Sequence, residues 1–232
     1  MEEIRSALLD HADQDRASTM QRFFKTGPGE YGQGDRFLGV SVPLVRLVAK
    51  KYRNIELDQA LILLKSVFHE ERLLALIILG HKYQKGARHE QEEIFRAYLD
   101  HTRYINNWDL VDVSAEHIVG AYLFSRSRSL LYQLAESTDI WERRIAVMST
   151  FYFIKKGEFD ETLRIAEQLI SDSHDLIHKA VGWMLREIGK RDREVEDVFL
   201  QNHYQSMPRT MLRYAIEKFP EDLRQKYLKG QV

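Results

Sequence analysis

The segment Lys179–Arg186 reads KAVGWMLR, and its pattern of small and apolar residues recurs along the chain. Matching segments are Leu74–Gly80 (LALIILG), Leu110–Glu116 (LVDVSAE), Ile145–Phe151 (IAVMSTF) and Tyr214–Phe219 (YAIEKF). The alignment places a small residue at one shared position in each copy: Ala75, Val111, Ala146, Ala180 and Ala215. A period of about 35 residues, with two helices per unit, is typical of HEAT-type helical repeats. The sequence therefore predicts an all-α fold, an α-solenoid forming a single curved domain with a concave face.

The distribution of proline supports helices throughout. The chain has four prolines, and none lies between Pro43 and Pro208. Since proline breaks helix interiors, this long interval with i, i+3, i+4 apolar spacing favours continuous helical repeats. We expect N-terminal helices over residues 1–26, a glycine-rich loop over 27–39 and repeats over 40–232. The loop is either a flexible, turn-rich connection or a segment that closes on a ligand.

Composition limits the function classes. The chain of 232 residues has a net charge of -1 and no cysteine, so it carries no thiol nucleophile and no disulfide. It shows no secretory signal and no apolar run long enough to span a bilayer, which predicts a soluble, cytoplasmic protein without membrane contact. No phosphate-binding glycine loop, nucleophilic serine motif or metal-ligand spacing is present, so we expect no cofactor and no metal.

Two tryptophans stand beside charged residues at helical spacing. Trp108 and Asp112 are four residues apart, which sets a ring and a carboxylate on one helix face. Trp183 precedes Arg186 by three residues. The functional interpretation is an aromatic cleft in which Asp112 stabilises a developing positive charge. The alternative is that the tryptophans pack in the core and Asp112 caps a helix or forms an ion pair, and Trp141 fits core packing best.

Cations follow the repeat as well. Arg144, His178 and Arg213 each lie two residues before the shared small position, so they would form a row along one face of a solenoid. Arg143 adjoins the row. Guanidinium groups match phosphate oxygens, and the row would suit a polyanion backbone. The alternative is a set of solvated helix residues that pair with local acids such as Glu142.

Several motifs together resemble those of the AlkD-like DNA alkylation-repair glycosylases, a family of HEAT-like repeat proteins. The motifs are RFFK (Arg22–Lys25), FLGVSVP (Phe37–Pro43), NNWDLVD (Asn106–Asp112), WERRIAV (Trp141–Val147), KAVGWMLRE (Lys179–Glu187) and PRTMLRYAIEKF (Pro208–Phe219). NNWDLVD and KAVGWMLRE are the most specific of them, and the resemblance extends over most of the chain.

The resemblance implies a reaction and a partner. Members of the family hydrolyse the N-glycosidic bond of cationic N3- or N7-alkylated purines in double-stranded DNA, and they leave the damaged base in the stack. It also implies a protein that acts as a monomer, associated with the nucleoid if the source is a prokaryote.

The resemblance also assigns residues. Asp112 would lie at the reaction centre, with Trp108 and Trp183 against the sugar and backbone of the damaged nucleotide. Residues matched to DNA contacts are Arg144 and Arg186, with Arg209 and Arg213 as weaker candidates. The cation row adds His178 and the adjoining Arg143 as candidate DNA contacts, and Phe23 is a further one. Phe23 occupies a position where other members can carry tyrosine, so a hydroxyl is absent here.

Two alternatives compete with this interpretation. One is a DNA-binding relative without glycosylase activity, which the joint presence of Trp108, Asp112, Arg144 and Trp183 disfavours. The other is a HEAT-repeat scaffold for protein interactions, whose arginines and tryptophans would bind an acidic peptide. Release of 7-methylguanine from methylated duplex DNA separates both from the enzyme.

Overall fold

The computed structural model describes residues 1–232 and contains helices and loops without a β-strand. The predicted all-α fold is confirmed. The chain forms two compact units, Met1–Ile118 and Val119–Val232. No helix is both long enough and apolar enough to cross a membrane.

The first unit contains seven α-helices, of which α3 packs on α5, and α4 and α6 flank α5. Their bounds are α1 Glu2–Leu9, α2 Gln14–Phe23, α3 Val42–Lys51, α4 Leu57–Leu64, α5 His69–Lys85, α6 Arg88–Leu99 and α7 Trp108–Asp112. A 3₁₀ turn at Thr102–Tyr104 precedes α7. The loop between α2 and α3 spans residues 24–41, slightly longer than the predicted 27–39.

The second unit stacks helix pairs in sequence order. Its helices are α8 Ala121–Leu123, α9 Ser129–Ala135, α10 Ile140–Lys155, α11 Asp160–Gln168, α12 Asp175–Gly189, α13 Arg193–His203, α14 Arg209–Ala215 and α15 Glu221–Lys229. A 3₁₀ turn, Ile216–Lys218, continues α14. The second helices of successive pairs, α10, α12 and α14, pack directly on one another. This is the two-helix repeat that the sequence period predicts.

The shared small position explains how closely these helices approach. All five residues at this position are fully buried: Ala75, Val111, Ala146, Ala180 and Ala215. Gly182, two residues after Ala180, lies so close to α14 that an added Cβ would fall 2.4 Å from the carbonyl oxygen of Met211. The repeat alignment therefore identifies buried positions where helices pack, and Gly182 beside one of them allows close backbone approach.

One repeat departs from a continuous helix. After α7 the chain makes a turn at residues 113–114 and then a π-helical segment, Glu116–Gly120. The Oγ of Ser114 donates to the carbonyl oxygen of Leu110 at 2.6 Å, so this side chain competes for an acceptor of the helix ladder. The expected helix through LVDVSAE is interrupted immediately after Asp112.

Candidate functional site

The short helix α7 is fixed at its N-terminus by side-chain hydrogen bonds. Asn107 precedes the helix, and its Oδ1 accepts from the backbone N–H of Trp108 at 2.9 Å. Its Nδ2 donates to Asp35 Oδ2 at 3.2 Å. Two residues further, Asp109 Oδ2 lies 2.8 Å from His69 Nε2. The helix is therefore tied both to the loop before α3 and to the start of α5.

Beneath α7 lies a network of buried charged groups. His69 Nδ1 is 2.8 Å from Asp35 Oδ2, and Arg72 Nη2 donates to Asp35 Oδ1 at 2.5 Å. Burial lowers the pKa of His69, but the carboxylates of Asp109 and Asp35 outweigh it and raise that pKa to about 9. Burial raises the pKa of Asp35, yet the hydrogen bonds and charges of His69 and Arg72 hold it below its ordinary value. At neutral pH two cations thus face two carboxylates, and the network has no net charge.

Aromatic rings cover the same network. Phe24 stacks on Phe37, with centroids 5.0 Å apart, and on Trp108, with centroids 5.3 Å apart. The His69 ring stacks on Phe37 at 4.5 Å. Phe23 makes an edge contact with Trp108 at 6.1 Å and is 64% exposed. A large exposed ring beside a half-buried tryptophan is a surface suited to ligand contact.

The end of the glycine-rich loop, just before α3, is anchored by hydrogen bonds to a buried carboxylate. The carboxylate of Glu70 accepts backbone N–H groups of Leu38, Gly39 and Val40 at 2.9, 2.8 and 3.1 Å. Gly39 has φ +80°, and an added Cβ would lie 2.0 Å from the carbonyl oxygen of Asp13. A side chain at this position is excluded both by conformation and by space. The loop is thus held against α2 and α5 and keeps Asp35 and Phe37 in place.

Trp108 and Asp112 are both partly exposed on α7. Their i, i+4 spacing places them on one face of the helix. Below them the hydroxyl groups of Tyr98 and Ser114 lie 2.9 Å apart in the interior. Burial, together with the nearby charge of Asp112, raises the pKa of Tyr98 above its ordinary value. The arrangement presents a carboxylate beside an aromatic ring at the surface of the first unit.

In the second unit, the structure distinguishes Trp183 from Trp141. Trp183 is half-buried, its Nε1 donates to Glu187 at 3.2 Å, and its ring centroid lies 6.1 Å from that of Phe151. Trp141 is only 6% exposed, which confirms the expected core position. Trp183 thus remains accessible to a ligand.

The predicted row of accessible cations is only partly present. Arg144 is 4% exposed and its Nη1 donates to the carbonyl oxygen of Leu176 at 2.7 Å. His178 is half-buried, with Nε2 2.5 Å from the carbonyl oxygen of Asp172. Arg213 alone is exposed. Arg144 therefore points toward α12 of the neighbouring repeat, and only the last cation of the row is exposed.

The other candidate arginines differ in how far they are engaged. Arg143 Nε donates to Asp172 Oδ2 at 2.7 Å, and Arg186 forms an ion pair with Glu217. Arg209 is exposed, and its Nη1 donates to the carbonyl oxygen of Leu228 at 2.5 Å. Arg209 and Arg213, on the same short helix, are the predicted cations most open to a phosphate.

Sequence reasoning missed the charged network. It singled out Trp108, Asp112 and Phe23 but overlooked Asp35, His69, Arg72 and Asp109. One signal was available: α5 begins with HEER (His69–Arg72), four polar residues followed by an almost wholly apolar run. All four are buried. Charged residues at the start of an otherwise apolar helix indicate an internal polar site, since such groups are buried only when paired.

The comparisons with known proteins agree with this architecture. A protein from Enterococcus faecalis, described as a predicted DNA alkylation repair enzyme, has a similar solved structure with a TM-score of 0.69. The two sequences are 16% identical, and the match covers 91% of this chain and 98% of that one. No curated protein matches the sequence. The model of the DNA alkylation repair enzyme family matches residues 4–219. The chain belongs to this family of DNA repair enzymes.

Proposed function

We propose that the protein is a DNA glycosylase that hydrolyses the N-glycosidic bond of cationic N3- or N7-alkylated purines in duplex DNA. The observation that carries the proposal is the surface of α7. Trp108 and Asp112 are both partly exposed there, and the helix that presents them is fixed by Asn107 and Asp109. Membership of a DNA alkylation repair family supports the substrate class.

The chemistry that this surface offers matches the reaction. An alkylated purine already carries a positive charge, so its bond to the sugar breaks with both electrons going to the purine, which leaves as a neutral base. The sugar becomes oxocarbenium-like at C1′, and the oxygen of a water molecule then bonds to that carbon and loses a proton. Asp112 would stabilise the charge on the sugar and orient this water.

The aromatic residues would stabilise the same positive charge on the sugar. A ring face near a positive charge contributes about 0.5–2 kcal/mol in typical cases. Trp108 lies next to the exposed Phe23, and together the two rings form an apolar surface for the sugar edge. We propose that Trp183, half-buried on α12, contacts the backbone of the damaged nucleotide, with Arg209 and Arg213 contacting phosphates. Such a surface acts on a base that remains stacked, in contrast to the pockets of base-flipping enzymes.

The direct test is release of 7-methylguanine from a duplex treated with a methylating agent. The proposal expects the free base to appear under single-turnover conditions, with abasic sites left in the duplex and no release of unmodified guanine. Duplex binding without base release would identify a non-catalytic DNA-binding protein. Absence of both binding and release would favour a protein-interaction scaffold and overturn the proposal.

A further inference from the structure

The buried network raises the question of what it holds in place. Its side chains come from three segments: Asp35 from the loop before α3, His69 and Arg72 from α5, and Asp109 from α7. Burying charged groups is costly, and an apolar cluster of similar volume is often as stable. Stability alone therefore does not explain a network of this kind. Its directed hydrogen bonds, however, determine how the three segments are oriented.

The element most dependent on these bonds is α7. It has five residues, too few for a helix to be stable by itself, and it is followed directly by a turn. Its orientation must therefore come from outside contacts. These are the Asn107 bond to Asp35, the Asp109 bond to His69, and stacking of Trp108 on Phe24. Asp109 lies between Trp108 and Asp112 on the helix.

We propose that His69 is a positioning residue for base release: it holds α7, through Asp109 on one side and Asp35 on the other, in the orientation that presents Trp108 and Asp112. The His69 side chain is 1% exposed, so it does not touch DNA and is not a catalytic residue. This inference rests on the proposed glycosylase function, since it concerns the same surface.

The protonation state of His69 matters for this role. A protonated imidazole donates from both nitrogens and can bond both carboxylates, whereas a neutral ring donates from only one. The groups facing His69 are Asp35 from the loop, Asp109 from α7 and, on α5 itself, Arg72, whose guanidinium bonds Asp35. The rings of Phe24 and Phe37 cover the remaining sides. Loss of the proton therefore releases one of the two carboxylates.

The test compares His69→Gln and Asp109→Asn with Glu71→Gln as a matched control. Glu71 is also buried on the same helix, but it pairs with Arg5 of α1 and is not part of the network. With methylated duplex, both network variants should lose at least about tenfold in single-turnover rate per folded protein, with duplex Kd changed less than about threefold. The double variant should lose little more than either single variant, because both substitutions break the same bond between His69 and Asp109. The control should keep the wild-type rate.

A second readout does not depend on catalysis. The indole N–H resonance of Trp108, identified by its loss in Trp108→Phe, should titrate in the wild-type protein with a midpoint near pH 9, where the pKa of His69 lies. The transition should be absent in His69→Gln, and the wild-type rate should fall over the same pH range. The Trp108 titration can be measured even if the protein releases no base, so it tests the role of His69 separately from the proposed function. Wild-type rates in folded His69→Gln, or a Trp108 signal indifferent to pH, would overturn the positioning role.

Discussion

Two buried sites, one in each unit, hold charged groups in different ways. In the first, Asp35, His69, Arg72 and Asp109 are linked in one network, and the cations balance the carboxylates. In the second, Glu196 is buried with one carboxyl oxygen lacking a hydrogen-bond partner. Burial raises its pKa to about 8, so this group is mostly neutral at pH 7. A buried charge thus persists where partners orient it, and otherwise it is neutralised by a proton.

The arginines show the same contrast. Arg72 of the first unit is buried against Asp35, whereas Arg186 of the second pairs with Glu217, a residue whose side chain is 44% exposed. The linked network fixes a helix with accessible functional groups. In the second unit Arg186 pairs with the partly exposed Glu217, and Arg209 and Arg213 are exposed. We infer that the first unit carries the chemistry and that the second supplies DNA contacts.

The largest expected effect is on stability. Asp35→Ala leaves the buried guanidinium of Arg72 without its carboxylate and His69 with only one of its two, and it should cost about 3–5 kcal/mol in free energy of unfolding. Glu217→Ala removes a partly exposed partner and should cost under about 1 kcal/mol. Urea unfolding of both variants at pH 7 measures the difference. Equal costs would mean that the two kinds of ion pair are energetically alike, and the contrast between the units would fail.

The tryptophans of the second unit sharpen the distinction between core and surface. Trp141→Ala empties a core site and should cost about 3–5 kcal/mol, whereas Trp183→Ala should cost clearly less and reduce base release. Thermal unfolding and excision rates on the same variants separate the two effects. If Trp183→Ala lost stability as Trp141→Ala does, with activity falling only in step with folded protein, Trp183 would belong to the core.

The two buried titrating groups predict different pH dependences. Both have folded-state pKa values above their unfolded ones, so both stabilise most at low pH and lose that contribution as pH rises. Glu196 loses its contribution between about pH 4.5 and 8, and His69 between about 6.5 and 9.

Denaturant unfolding between pH 4 and 10 tests these windows. Glu196→Gln should flatten the lower part of the pH dependence, and His69→Gln the upper part. A wild-type stability that rises from pH 6.5 to 9 would contradict both assignments.

The smallest expected effect concerns DNA affinity. Arg213→Ala should lower the slope of log K against log salt by about 0.9, the value for one phosphate contact, without loss of stability. Arg144→Ala should leave the slope unchanged and destabilise the protein, because the guanidinium of Arg144 donates a hydrogen bond to the carbonyl oxygen of Leu176. Measuring the Kd for an undamaged duplex over a series of salt concentrations gives the slope for each variant. A shallower slope for Arg144→Ala alone would instead place Arg144 on the DNA surface.

The two-helix repeat was predictable from sequence because each repeat must bury a small residue where neighbouring helices meet. The alignment therefore found Ala146, Ala180 and Ala215. The charged network was not predictable, because its members are spread from Asp35 to Asp109 and meet only through the path of the loop. The burial of Arg144 was not predicted for a related reason. Periodicity shows which residues occupy equivalent positions but not whether their side chains face solvent.

The central claim, that Asp112 stabilises charge on the sugar, is tested most directly by Asp112→Asn under single-turnover conditions with 7-methylguanine duplex. The amide keeps the shape of the side chain and removes its charge, so the loss should appear in the chemical step. We expect the rate to fall on the order of 10²-fold, with duplex Kd and unfolding free energy nearly unchanged. A wild-type rate in the folded variant would show that Asp112 has a structural role, and the assignment of the reaction centre to α7 would be wrong.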